Sequence, residues 1–226
     1  MELTTTFQSG IDDLMSGNKV NHSELIKHVC SLGLFCHTSF FIKRNNLKQE
    51  SYPFDWIFSD LSNVIHCVEN NFKIFLDKSY YVSIRETACG HTFYNNRMWW
   101  HHNPLINEAD YAYNIRCILR FKKLLLKIER KLFIVMFVNQ DSNNVNENIK
   151  DQVIEFNNKF KIYSNNYTLL CIIQYSNKNK NNYTCTNVEN VDFLELDTIS
   201  KSNGVVFENE NDNIFLDQIF KDKYNL

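Results

Sequence analysis

Only five glycines and two prolines occur in 226 residues, and the motifs built on glycine are missing with them. There is no Walker-type loop, no GxGxxG and no GxSxG, so nucleotide binding and the serine-hydrolase elbow have no motif behind them. The seven cysteines include no CxxC pair, and an odd, scattered set points to reduced thiols in a cytosol-like compartment. Long apolar runs are absent too. "LFIVMFV" and "LLCII" are strand-sized, far short of the roughly 20 residues that span a bilayer. The opening "MELTTTFQSG" lacks the basic-then-apolar order of a secretory leader. A net charge of −2 gives no global attraction to nucleic acid or to an anionic membrane, and neither is expected as a partner.

What is present is a globular composition. A hydrophobic content of 44% in a chain of this length is enough for one sizeable core. Asparagine is the commonest residue and clusters with lysine, the bias of an AT-rich genome. It suggests a large DNA virus, and hence the host cytoplasm, as the setting. Residues 1–21 are polar and weakly patterned and are expected to form an arm, mobile or loosely docked. Residues 22–226 are expected to form one domain.

Within that domain a first strand is expected near 27–33, broken by Gly33, with a helix from about Cys36. A second helix starts near Ser59 or Asp60, both good N-caps, with Leu61, Val64, Ile65, Val68 and Phe72 as one buried stripe. Residues 73–104 read as short strands or ordered loops. A long helix over about 108–130 buries Ile118, Phe121, Leu125 and Ile128. The strand "KLFIVMFV" is continuous rather than alternating, so it is buried on both faces. The helix "NVNENIKDQVIEFNNKF", the strands "YTLLCIIQY" and "VDFLELD" and the closing helix "NIFLDQIFKDKY" follow, with 176–190 as a surface loop. Strand, helix, strand is a parallel βαβ unit. The expected fold is a single three-layer α/β domain with a mostly parallel central sheet flanked by helices.

Cys36 sits at the expected strand-to-helix junction. The positive end of a helix and its free N–H groups stabilise a thiolate, and the same groups hold the oxyanion formed on attack at a carbonyl. Backbone N–H groups from Leu34, Phe35 and Cys36 are candidates for that role. The plainer alternative is a small buried residue packing under the helix. A nucleophilic cysteine needs a histidine. His37 is its neighbour and faces elsewhere; His22, His28 and His66 lie in regular patterns, leaving His91, His101 and His102. In "YPFDW", Pro53 fixes the backbone, and Asp55 either aims at a histidine or bonds local N–H groups. Cys89, His91, His101 and His102 are also ligand types for zinc, although adjacent histidines rarely share one ion.

The stretch "SLGLFCHTSFFIKRNNLKQESYPFDW" resembles the opening signature of the DUF1796 family, described as "putative papain-like cysteine peptidase". That signature runs Ser-Leu-Gly-x-x-Cys, a helix, then Ser-x-Pro-Phe-Asp-Trp. Here it is Ser31, Leu32, Gly33, Cys36, Ser51, Pro53, Phe54, Asp55 and Trp56. "MWWHHNP", "YNIRCILRFKKLL" and "KLFIVMFV" look like later blocks of the family. The resemblance implies a thiol nucleophile at Cys36 and a base at His102, with His101 as the alternative. The family's His-Asp is His102-Asn103 here, and an amide can still orient an imidazole. It also implies a papain-like α+β fold, an alternative to the parallel α/β reading. The expected function is hydrolysis of an amide, isopeptide or thioester carbonyl in a protein or peptide substrate, without a cofactor. Asp55 or Asn103 would orient the imidazole, and Cys36, Asp55 and His102 would share one cleft. The rivals are a catalytically silent module that captures a host protein, with Cys36 walled off by Phe35 and Phe40, and a small zinc-binding domain.

Overall fold

The computed structural model describes residues 23–141 and 147–225, so the arm expected at 1–21 lies outside the described residues. Four strands run parallel: β1 (His28–Ser31), β5 (Lys131–Gln140), β6 (Tyr167–Tyr175) and β8 (Val191–Asp197). β7 (Asn182–Val188) adds to the edge antiparallel to β8, giving the order β1-β5-β6-β8-β7. The parallel register decides between the two fold readings: the central sheet is that of a three-layer α/β protein, not of an α+β one.

Both faces of the sheet are covered, which is why β5 and β6 read as unbroken apolar runs. Phe133, Val135, Leu169 and Cys171 point into one core. On that side lie α2 (Leu61–Glu69), α3 (Glu108–Leu126) and α4 (Glu147–Phe160). Leu132, Ile134, Met136 and Ile172 point into the other, against α1 (Cys36–Arg44) and α5 (Glu210–Tyr224). Residues 81–99 form a second, antiparallel sheet of β2 (Tyr81–Arg85), β3 (Ala88–His91) and β4 (Asn95–Trp99). It buries Tyr81, Cys89, Met98 and Trp99 in the first core.

The helix signals act as the sequence suggests. Asp60 caps α2 by accepting the Asn63 N–H at 2.7 Å, and Leu61, Val64, Ile65 and Val68 are buried. Phe72 is buried as well, beyond the helix end and in a left-handed conformation.

Two expectations are corrected. α3 stops at Leu126, and Ile128, expected on its buried stripe, is 77% exposed. The chain must turn there to deliver Lys131 to β5: the Asn166 side chain donates to the Ile128 carbonyl at 2.8 Å, and the Lys131 N–H to the Asn166 carbonyl at 3.0 Å. Residues 176–190 are not all loop, because β7 lies within them. All seven of its residues are exposed, so no apolar alternation marks it, and pairing with β8 is what makes it a strand. No described helix is long and apolar enough to cross a membrane.

The corrected end of α3 gives a contrast in urea unfolding. Phe121→Ala, at a site packed by Phe54, Phe72 and Phe133, is expected to cost about 3–5 kcal/mol. Ile128→Ala is expected to stay within about 0.5 kcal/mol of the parent.

Candidate active site at the carboxyl ends of the strands

After β1 the chain makes a sharp turn. Gly33 has φ +88° and Leu34 φ +75°, both in the region that side chains disfavour. A Cβ on Gly33 would lie 2.4 Å from Ser59 Oγ and 3.1 Å from the Phe54 carbonyl oxygen. Ser31 Oγ accepts the Gly33 N–H at 3.0 Å, and Ser59 Oγ accepts the Leu34 N–H at 3.4 Å. Phe35 returns to extended backbone and caps α1 without a side-chain bond. Cys36 is therefore the first residue of a nine-residue helix, with the uncapped N–H groups of that terminus around it.

The connections make this position a crevice. From β1 the chain passes to α1 on one face of the sheet, whereas from the adjacent β5 it goes on to α4 on the other. Neighbouring strands that leave to opposite faces open a cleft at their carboxyl ends. A cleft of about 590 Å³ lies there, lined by Phe35, Cys36, Phe58, Trp100, His101, Val138, Asn139 and the 202–205 loop. Phe35 meets Phe58 edge to face at 5.9 Å, and Arg85 lies over the Trp100 ring at 4.4 Å. The far wall is fastened by Asn139: its side chain accepts the Ser202 N–H and donates to the Ser202 carbonyl, both at 2.8 Å.

Cys36 is partly exposed, open to the cleft rather than walled off as the silent-module reading required. Burial pushes its thiol up from the ordinary value, and its own backbone N–H offsets part of this. Burial thus works against the thiolate form, opposite to the effect of the helix terminus.

No hydrogen bond joins Cys36, His102 and Asp55 to one another among the described residues. Asp55 is buried, and its carboxylate accepts from Ser39 Oγ at 3.1 Å, from the Tyr52 N–H at 2.8 Å and from Lys48 Nζ. It touches no imidazole; it fastens the "YPFDW" turn beneath α1. Burial raises its pKa, with Lys48 opposing. Asn103 is buried as well, and its amide donates to Ser83 Oγ, the Arg85 carbonyl and the Ala88 carbonyl, closing the turn between β2 and β3. Its side-chain carbonyl oxygen is buried without a hydrogen-bond partner among the described residues. His102 stands 3.5 Å from Asp110 Oδ1 and stacks on Tyr113. The residue that lines the cleft together with Cys36 is His101. No hydrogen bond joins Cys36 to an imidazole among the described residues. Leu34, expected to help hold an oxyanion, has its N–H engaged by Ser59, which leaves Phe35 and Cys36 for that role.

Cys89 and His91 do not form a metal centre. Cys89 is buried with its thiol on the Gly90 carbonyl, and His91 Nε2 meets the Ile74 carbonyl at 3.0 Å. No three His, Cys, Asp or Glu side chains converge to hold an ion among the described residues.

Sequence reasoning missed Asp110, Asn139, Ser202 and the buried role of His37. His37 Nδ1 lies 2.8 Å from Ser202 Oγ, and its ring packs on Phe207 at 4.6 Å. The only sequence signal for Asp110 is its place in the first turn of α3; Asn139 and Ser202 are 63 residues apart and carry none.

Two predictions follow from this packing. Gly33→Ala is expected to lower stability by about 1–3 kcal/mol, and Ser59→Gly in the same chain to recover part of the loss in urea unfolding. Burial, with Arg44 adding to it, lowers the His37 pKa from 6.5 to about 3, so the fold holds the ring neutral while the unfolded chain protonates it. Stability should therefore fall as pH drops below 6.5, by about 2 kcal/mol between pH 7 and pH 5. His37→Asn, measured at the same two pH values, should remove that component of the slope.

Residues 27–181 match the family model DUF1796, "Putative papain-like cysteine peptidase". No curated protein and no solved structure gives a significant match. The match spans more than half of the chain and ends one residue before β7, and it contains Cys36 and the strained turn that presents it. The chain belongs to the DUF1796 family.

Proposed function

We propose that the protein is a thiol hydrolase with Cys36 as nucleophile and His101 as base, acting on an amide, isopeptide or thioester carbonyl of a protein or peptide. The observation that carries this reading is the position of Cys36. Of the seven cysteines, five are buried and Cys185 is exposed on the edge strand; Cys36 alone opens a helix at the rim of a cleft. Its place in the family motif supports the same choice.

In this scheme the His101 imidazole takes the Cys36 proton as Sγ bonds to the carbonyl carbon. The carbonyl electron pair moves to oxygen, held by N–H groups at the start of α1. When the tetrahedral species collapses, the bond to the amine or thiol breaks and the leaving group takes the proton from the imidazolium. Water then releases the acid from the acyl-thioester, again with the imidazole as base. The cleft lining includes no Lys, Arg, Asp or Glu. Phe35, Phe58, Trp100 and Val138 line the cleft with Cys36, so the group beside the scissile bond is uncharged and apolar.

The pairing of His102 with Asp110 favours a second reading in which that imidazole, oriented by a carboxylate, turns into the cleft. Peptide chloromethyl ketones with mass mapping separate the two. A probe with an apolar residue beside the warhead is expected to label Cys36 ahead of Cys185, and an acidic probe at least tenfold more slowly. His101→Ala should slow labelling by about 10²–10⁴, with His102→Ala within about threefold of the parent. The larger loss in His102→Ala makes His102 the base. Labelling of Cys36 no faster than Cys185 by any probe sinks the nucleophile.

A further inference from the structure

The outer edge of the main sheet is β7, and among the described residues it lacks the usual protection of an edge. Its seven residues are exposed throughout and include no charged residue and no proline, the devices that ordinarily block strand addition. The opposite edge, β1, has four residues, three of them buried.

The register shows which peptide groups of β7 are free. At the two ends of β8 the Asn190 carbonyl accepts from Leu169 and the Thr198 N–H donates to Tyr175, both at 2.9 Å, so even-numbered residues along the strand serve β6 and odd-numbered ones serve β7. Val188 lies opposite Val191, and Thr184 opposite Glu195. Asn182, Thr184, Thr186 and Val188 are thus consumed by β8, while the backbone groups of Tyr183, Cys185 and Asn187 point outward.

We propose that β7 pairs antiparallel with β7 of a second copy of this chain, about a two-fold axis at Cys185, so that one sheet runs through both copies. Such an interface is isologous and must complement itself, and the strand does. Centring on Cys185 sets Thr184 opposite the second copy's Thr186, a favourable cross-strand pair, and Tyr183 opposite its Asn187. The charges flanking the strand fit the same arrangement. Lys180 precedes β7 and Glu189 follows it, so antiparallel pairing brings the basic end of one strand beside the acidic end of the other, at both ends of the seam. Parallel pairing would set like beside like. Tyr183, 45% exposed, lies edge-on to Phe215 at 5.9 Å, and Ile214 beside it on α5 is 57% exposed, so apolar surface continues from the strand onto the helix. Because β1 lies at the other edge of the sheet, the cleft that holds Cys36 stays open in the pair.

Sedimentation velocity of the full chain over a concentration series is expected to show a monomer–dimer equilibrium. Cys185→Pro removes one outward N–H and spares the bonds to β8; it should sediment as monomer. Cys185→Lys places two ammonium groups at the axis and should weaken association at least tenfold. It decides the matter should the proline variant misfold, which its thermal unfolding would reveal. A thiol-specific crosslinker is expected to join Cys185 to Cys185. A parent that stays monomeric at every concentration, or a dimer that Cys185→Lys leaves intact, overturns the proposal.

Discussion

The site depends on how closely the chain segment 54–59 approaches Gly33. With hydrogen in place of a side chain, the Phe54 carbonyl and Ser59 Oγ occupy the space where a Cβ would stand. Phe54 is locked from behind by Phe72, Phe75 and Phe121, and Asp55 reaches forward to Ser39 on α1. The two halves of the signature, "SLGLFC" and "YPFDW", are one physical unit. The second half holds the strained turn of the first and supports the helix whose first residue is the thiol. A backbone in this conformation persists only where its surroundings over-determine it, and these contacts supply that support.

Burial sets the electrostatic character of the same unit. Asp55 and Lys48 form an ion pair with the carboxylate 2% and the lysine 17% exposed. Breaking such a pair leaves an uncompensated charge and costs about 3–5 kcal/mol. His37, one residue beyond the thiol, is kept neutral and tied to Ser202. Asp55, Lys48 and His37 are thus committed to structure, and the cleft beside α1 is lined by no Lys, Arg, Asp or Glu. A thiol raised by burial and facing an apolar cleft has its reactivity governed by whatever base reaches it.

Much of this was legible in the sequence, for identifiable reasons. A cap and a period mark α2, a period alone marks α4, the break at Gly33 marks the start of α1, and continuous apolar runs mark β5 and β6, because all of these signals are local. The end of α3 was misplaced because Ile128 keeps the helical period while the chain must already turn towards β5. β7 was missed because a strand solvated on both faces carries no pattern of its own. At the site, Cys36 could be read from glycine spacing and a helix start. The partners of Asp55 could not: Lys48 lies seven residues back, across a loop that only tertiary packing closes. The placement of Asn103 is not legible either, because Ser83, Arg85 and Ala88, far from it in sequence, take its NH2 group.

The double hydrogen bond between Asn139 and Ser202 has a consequence for how the cleft is assembled. Cys36 and the near wall lie within residues 27–181, which match the family, whereas residues 202–205 of the far wall come after them. One asparagine at the end of β5 grips that wall through the backbone of Ser202, so the side chains around Ser202 are free to differ without disturbing the grip. The cleft is a fixed jaw bearing the thiol and an interchangeable one facing it. Change in what enters can accumulate on the second jaw while the turn that presents Cys36 on the first stays untouched.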